Sequence, residues 1–189
     1  TIAIPPGSYA EVQLSMTINF FDYIERINSL LRSWQRDDAQ LSQVPAVQLS
    51  ALRYLCICNH YSDTVMGVTD YLGLTKGTVS QALKALEGKG LIIKTQDARD
   101  KRSVHLALTD PAWALLQTLL PPDFLAAGEA RLGAQAGQLK NLLADLLREI
   151  QRDTDVPGFG LCGSCRFHQQ VDGQPFCGLT QELLQPSDA

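Results

Sequence analysis

Between residues 64 and 108 the hydrophobic period changes from helical to alternating, and this change limits the folds open to the chain. Val65, Val68 and Leu72 share one side of a short helix over about 64–72, which Gly73 can close. Thr75 can cap a second helix running to about Glu87, ended by Gly88 and Gly90. In that helix Val79, Ala82, Leu83 and Leu86 form the apolar stripe, and Lys76, Thr78, Gln81 and Lys84 lie opposite. Two β-rich runs follow, Leu91–Thr95 and Ser103–Leu108, separated by a charged tip of sequence Gln-Asp-Ala-Arg-Asp-Lys-Arg. Helix, helix, hairpin is the order of a winged helix-turn-helix. The expected fold class is therefore mainly α, with a two-stranded β wing.

Charge is distributed to match. The chain carries a formal net charge of -4. Between Thr75 and His105, however, seven basic residues face only Glu87, Asp97 and Asp100, leaving +4 there and -8 elsewhere. A basic island in an acidic protein has the character of a phosphate footprint. Lys76 and Lys84 are candidates for phosphate contacts, and Gly77 and Thr78 allow close approach to a nucleic-acid backbone. Thr78, Ser80 and Gln81 are candidates for hydrogen bonds to base edges or backbone in a major groove. Arg99, Lys101 and Arg102 at the hairpin tip suit a neighbouring minor groove, with Asp97 and Asp100 expected to hold the arginines.

Long helices flank this segment. Phe20, Phe21, Ile24, Ile27, Leu31 and Trp34 recur at helical spacing over 16–36. Another helix is expected at about 47–60, with Cys56 and Cys58 as small core residues in preference to redox sensors. Thr109, Asp110 and Pro111 open a helix that Pro121 and Pro122 stop or kink. The longest helix is expected from Asp123 to about Arg152, where Leu132, Ala136, Leu139, Leu143, Leu146 and Ile150 form a heptad-like seam. Such a seam calls for a partner helix, so a homodimer is expected. The domain plan is 1–44, an N-terminal dimerisation helix; 45–110, the winged helix-turn-helix; 111–155, C-terminal dimerisation helices; and 156–189, a cysteine-rich tail. His60 and His105 have no evident partner in the sequence and are expected to be structural or solvent-facing.

The tail places Cys162, Cys165, His168 and Cys177 close together. Three thiolates and an imidazole form a tetrahedral donor set suited to structural zinc, with Gly163 easing the turn between the first two. The same thiolates suit an iron–sulfur cluster. Redox-active or incidental thiols are the plain alternative. No apolar run approaches the roughly 20 residues of a membrane span, and Thr1–Gly7 lacks the features of a signal peptide. The natural start is expected to have been trimmed, and the odd cysteine count fits a reducing cytoplasm.

The run Leu-Thr-Lys-Gly-Thr-Val-Ser-Gln-Ala-Leu-Lys-Ala-Leu-Glu-Gly-Lys-Gly-Leu-Ile resembles the recognition helix of the MarR family and the turn after it. The run Asp-Ala-Arg-Asp-Lys-Arg-Ser-Val-His-Leu-Ala-Leu-Thr resembles that family's wing. The resemblance spans about residues 16–152 and is strongest over 64–110. It implies a dimeric transcriptional regulator, with repression the expected mode, acting on a pseudo-palindromic double-stranded DNA site. It also implies flanking helices as the dimer interface, and Arg99 or Arg102 in the minor groove. In the family a small-molecule effector often lies between the dimer helices and the DNA-reading lobe. The cysteine tail departs from the family pattern. Two rival readings are a metal- or iron–sulfur-containing redox or electron-transfer protein on a helical scaffold, and a zinc-clipped protein-interaction module. An enzyme is not expected, because the sequence offers no paired carboxylates, no Ser/His/Asp set and no glycine-rich phosphate loop.

Overall fold

The computed structural model describes residues 17–38, 44–98, 101, 103–154, 158, 160–165 and 167–185. Two units, 1–44 and 45–189, are each described by themselves. The first contains helix α1, Phe20–Asp37. Its start is fixed by a reciprocal cap: the Asn19 side chain accepts the Phe21 and Asp22 amides, and the Asp22 carboxylate accepts the Asn19 amide. None of its residues is buried, and Phe20, Phe21, Ile24 and Ile27 are exposed.

The second unit opens with α2, Ala46–Ile57, followed by α3, Val65–Leu72, and α4, Lys76–Gly88. Helix α2 ends earlier than the expected 60. The Asn59 side chain accepts the Tyr61 amide and turns the chain, leaving Cys58 as the cap residue. Tyr54 secures this turn by donating its hydroxyl to the Ser62 carbonyl at 3.0 Å, with its ring 4.6 Å from that of Tyr71. Burial raises the Tyr54 hydroxyl pKa, with the neighbouring Cys58 adding to the effect.

Helix α3 starts at Thr64, whose hydroxyl accepts the Gly67 amide, and stops at Gly73 in the left-handed conformation. Strands β1, Ile92–Gln96, and β2, Val104–Leu108, pair antiparallel from Ile92↔Leu108 to Gln96↔Val104. Leu49, Leu52 and Leu55 of α2, Val68 of α3, Val79, Leu83 and Leu86 of α4, and Ile92 and Leu106 of the hairpin are buried. Each large apolar side chain removed from water in this way contributes about 1.5–3 kcal/mol. This core holds α4 and the hairpin side by side.

Helix α5, Asp110–Leu119, has its proline in the first turn, where no amide hydrogen is required, and buries Ala112, Leu116 and Leu119. The expected single helix over 123–152 is instead two: α6, Asp123–Leu132, and α7, Gln135–Asp153. Gly133 separates them at φ 54° and ψ -125°, a conformation that side chains with a Cβ avoid. The heptad spacing continues across this break without the backbone doing so. Neither helix has a buried residue, and Leu132, Leu139, Leu142, Leu143 and Ile150 are exposed.

A 3-10 turn, Cys162–Ser164, then leads to a three-stranded antiparallel sheet: β3, His168–Val171, β4, Gln174–Cys177, and β5, Glu182–Leu183. Asp172 and Gly173, both at positive φ, make its first turn. The tail meets the helical part at the α2–α3 turn. Asn59 donates its amide to the Gly160 carbonyl at 2.9 Å and its side chain to Cys162 Sγ at 3.1 Å. The Tyr61 hydroxyl donates to Glu182 at 3.3 Å.

Candidate nucleic-acid interface

Helix α4 begins where the Thr75 hydroxyl accepts the Thr78 amide at 3.2 Å. The two threonine hydroxyls also share a hydrogen bond of 2.9 Å, so Thr78 serves the cap as well as the exposed face. Because Val79, Leu83 and Leu86 point inward, helical spacing sends Lys76, Gly77, Thr78, Ser80, Gln81 and Lys84 outward, and all six are exposed. A Cβ on Gly77 would touch only Thr75 Oγ1, at 3.9 Å, so nothing inside the chain demands glycine there.

Two lysines of the basic island are used internally. Lys94 pairs with Glu87 at 2.6 Å, tying β1 to the end of α4, and Lys89 donates to the Gln48 side chain at 2.9 Å. At the hairpin tip Lys101 is exposed, and its carbonyl accepts the Gln96 side chain at 2.5 Å. The Asp97 amide donates to the Ser103 carbonyl at 3.0 Å. Arg99, Asp100 and Arg102 lie outside the described residues.

His105 is not the partnerless histidine that the sequence suggests. Its Nδ1 lies 2.5 Å from Asp63 Oδ1 and its Nε2 lies 3.1 Å from Asp97 Oδ2. Asp63 precedes α3 by one residue, Thr64, and Asp97 immediately follows β1. The Leu106 amide also donates to the Asp63 carbonyl at 2.7 Å, and Thr64 bridges His105. The hydrogen bonds that the ring donates to Asp63 and then to Asp97 raise the His105 pKa above its ordinary value. Asp97, expected to hold an arginine, holds this imidazole. His105 and Asp63 are 42 positions apart in the chain, and no local pattern announces the pairing.

The tail residues occupy one turn and one hairpin. The Cys165 amide donates to the Cys162 carbonyl, the His168 amide donates to the Cys165 carbonyl, and His168 pairs in register with Cys177. Cys165 Sγ accepts the Phe167 amide at 3.5 Å and Cys177 Sγ accepts the Thr180 amide at 3.4 Å. Burial alone would raise the Cys177 pKa, but hydrogen bonds from the Thr180 hydroxyl and the Thr180 and Leu179 amides lower it. Among the described residues the buried His168 Nδ1 has no hydrogen-bond partner. The donor set suits a soft metal, but among the described residues no three His, Cys, Asp or Glu side chains converge closely enough to hold an ion. The Cys58 thiol is pushed up to about 12, chiefly by burial and then by Asp63. Cys56 is raised as well, again chiefly by burial.

Comparison with solved structures identifies this architecture. A DNA complex of S. aureus MepR matches with a TM-score of 0.54 and 22% identity, covering 70% of this chain and 99% of MepR. A MepR variant from a multidrug-resistant S. aureus clinical isolate gives 0.55 at 22% identity, over 69% and 97% of the two chains. The fold is a winged helix that matches MarR-family solved structures. Residues 42–103 match the MarR family model, and this span contains α2, α3, α4 and β1 and stops just before β2. A further similarity is to the organic hydroperoxide resistance transcriptional regulator of Bacillus subtilis (strain 168). It is 29% identical over 102 residues, covering 53% of this chain and 69% of that protein. Among the described residues no helix is long and apolar enough to cross a membrane.

Proposed function

We propose that this chain is a MarR-family transcriptional regulator that binds double-stranded DNA as a homodimer. One observation carries the reading: α4 buries one face and presents Lys76, Gly77, Thr78, Ser80, Gln81 and Lys84 on the other, beside an antiparallel hairpin. A helix so arranged fits a major groove. Lysines contact phosphates, and Gln81 and Ser80 reach base edges. The match to MepR in a DNA complex supports the same geometry. Binding over a promoter excludes polymerase, and repression is the outcome we assign. The role is one of binding in the cytoplasm, without catalysis.

The second copy is supported by apolar exposure. In one unit Phe20, Phe21, Ile24 and Ile27 of α1 face solvent; in the other Leu139, Leu142, Leu143 and Ile150 of α7 do so. Exposed apolar residues in such density mark an association surface. Two copies of α4 then meet successive major grooves of a pseudo-palindromic site.

For the tail we propose zinc held by Cys162, Cys165, His168 and Cys177. Its support is the in-register His168–Cys177 pair, the lowered Cys177 pKa and the unpartnered His168 Nδ1. Zinc would supply a cross-link for a segment with little core. The side chains must rotate inward for this to occur, since they do not converge here. Metal content and the visible spectrum of purified protein separate zinc from an iron–sulfur cluster, and metal-free, colourless protein overturns both.

The test of DNA binding is fluorescence anisotropy on genomic fragments as salt is varied. Affinity is expected to fall steeply with salt. Lys76→Ala with Lys84→Ala is expected to reduce the slope of log affinity against log salt by about 1 for each phosphate left without its lysine. No binding to any fragment, or an unchanged slope in the double variant, overturns the reading.

A further inference from the structure

The wing is joined to the helix-turn-helix by more than its strands. His105 is on β2 and is held from two directions, by Asp63 at the entry to α3 and by Asp97 at the exit of β1. Its cross-strand neighbour on β1 is Thr95, which is uncharged. Among the described residues these two aspartates are the charged groups that act on it. Ionised carboxylates only accept hydrogen bonds, so both ring nitrogens must donate. Only the imidazolium has two N–H groups. Neutral histidine keeps one arm and turns a lone pair toward the other carboxylate.

We propose that His105 is a positioning residue for DNA binding: its imidazolium clamps β2 and the exit of β1 to the start of α3 and so sets how the two strands lie relative to α4. The inference rests on the DNA-binding reading above. Protonation is thereby coupled to affinity. A histidine whose folded pKa is raised contributes fully below its unfolded pKa, near 6.5, and the contribution fades as pH rises through the folded value. The clamp is therefore closed in mildly acidic solution and opens as pH rises. Opening it frees the imidazole from one of its two aspartates and loosens the tie between β2 and the start of α3. The recognition helix, capped by Thr75 and packed through Leu83, is unaffected. The expected change is in wing placement and general affinity, with base preference kept.

The experiment uses the full chain, labelled with nitrogen-15 at histidine, and a fluorescent mixed-sequence duplex of about three helical turns. Imidazole resonances of the three histidines are followed against pH, together with hydrogen exchange at the Asp97 and Leu106 amides. Duplex affinity is measured in parallel for wild type, His105→Lys and His105→Gln. Wild-type affinity is expected to fall about threefold to tenfold between about pH 6 and pH 9, in the range of modest allosteric couplings. His105→Lys keeps a cation between the aspartates and is expected to flatten the profile while retaining affinity. His105→Gln is expected to be flat and weak throughout.

A His105 resonance titrating at its ordinary value overturns the clamp, as do parallel affinity profiles for wild type and His105→Lys. If wild type binds no duplex at any pH, the regulator reading fails by itself. The resonances and amide exchange then still decide whether the clamp exists.

Discussion

Replacing Gly160 with alanine places a methyl group between the tail and the helical core. Gly160 has φ 73°, and a Cβ built there would lie 2.7 Å from Cys58 Cβ, 2.7 Å from the Tyr54 hydroxyl and 3.0 Å from Tyr54 Cε2. An L-residue in the left-handed region costs roughly 1–2 kcal/mol, and overpacking adds about 1–3 kcal/mol. Neither neighbour yields easily. Cys58 is fixed by the end of α2, and Tyr54 is buried and donates to Ser62. The chain has an alternative to bearing this strain: it can release the tail. Release sacrifices the Asn59–Gly160, Asn59–Cys162 and Tyr61–Glu182 hydrogen bonds. At about 0.5–1.5 kcal/mol each, these limit the cost to roughly 1.5–4.5 kcal/mol. The strain of seating the alanine is roughly 2–5 kcal/mol, the larger of the two at both ends of its range, so detachment is expected. Exchange of the Asn59 amide is expected to speed up by about 10-fold to 1,600-fold, since each 1.4 kcal/mol is tenfold. Amides of α4 are expected to keep their protection. Native-state hydrogen exchange read residue by residue by NMR checks both. Unchanged protection at Asn59 in Gly160→Ala would refute the seating of the tail on Tyr54 and Cys58.

Further outcomes concern the core and the thiols. Leu83, 1% exposed on the inward face of α4, is expected to cost about 3–5 kcal/mol as Leu83→Ala, seen as a lowered urea midpoint with unchanged slope. Near neutral pH, Cys177 is expected to react with iodoacetamide before Cys58, because hydrogen bonding lowers the first thiol while burial pushes the second up to about 12. Mass spectrometry of partly alkylated protein reads the order, and faster reaction at Cys58 contradicts it.

The segment from α3 to β2 is legible because its information is local. Val79, Leu83 and Leu86 at helical spacing specify which side of α4 is buried, and the opposite side follows from geometry. Gly73 and Thr75 mark the stop and the start on either side of the turn. The β3–β4 hairpin carries a local signal too, since Asp172 and Gly173 favour a tight turn, although the cysteine spacing around it points to a metal clip instead. The break at Gly133 is hidden for a different reason. A seam of Leu132, Leu139 and Leu143 fits one helix or two, and only backbone dihedrals separate them.

What the sequence determined alone, then, is the succession of helices and strands from α3 to β2 and the chemical character of each face. These follow from residue spacing within one or two turns. Only the tertiary structure decided that Asp63 and Asp97 meet on His105, and that Gly160 seats the tail against Tyr54 and Cys58. Such contacts join residues far apart in the chain, and they come into being when the core closes and fixes distances that no local spacing encodes.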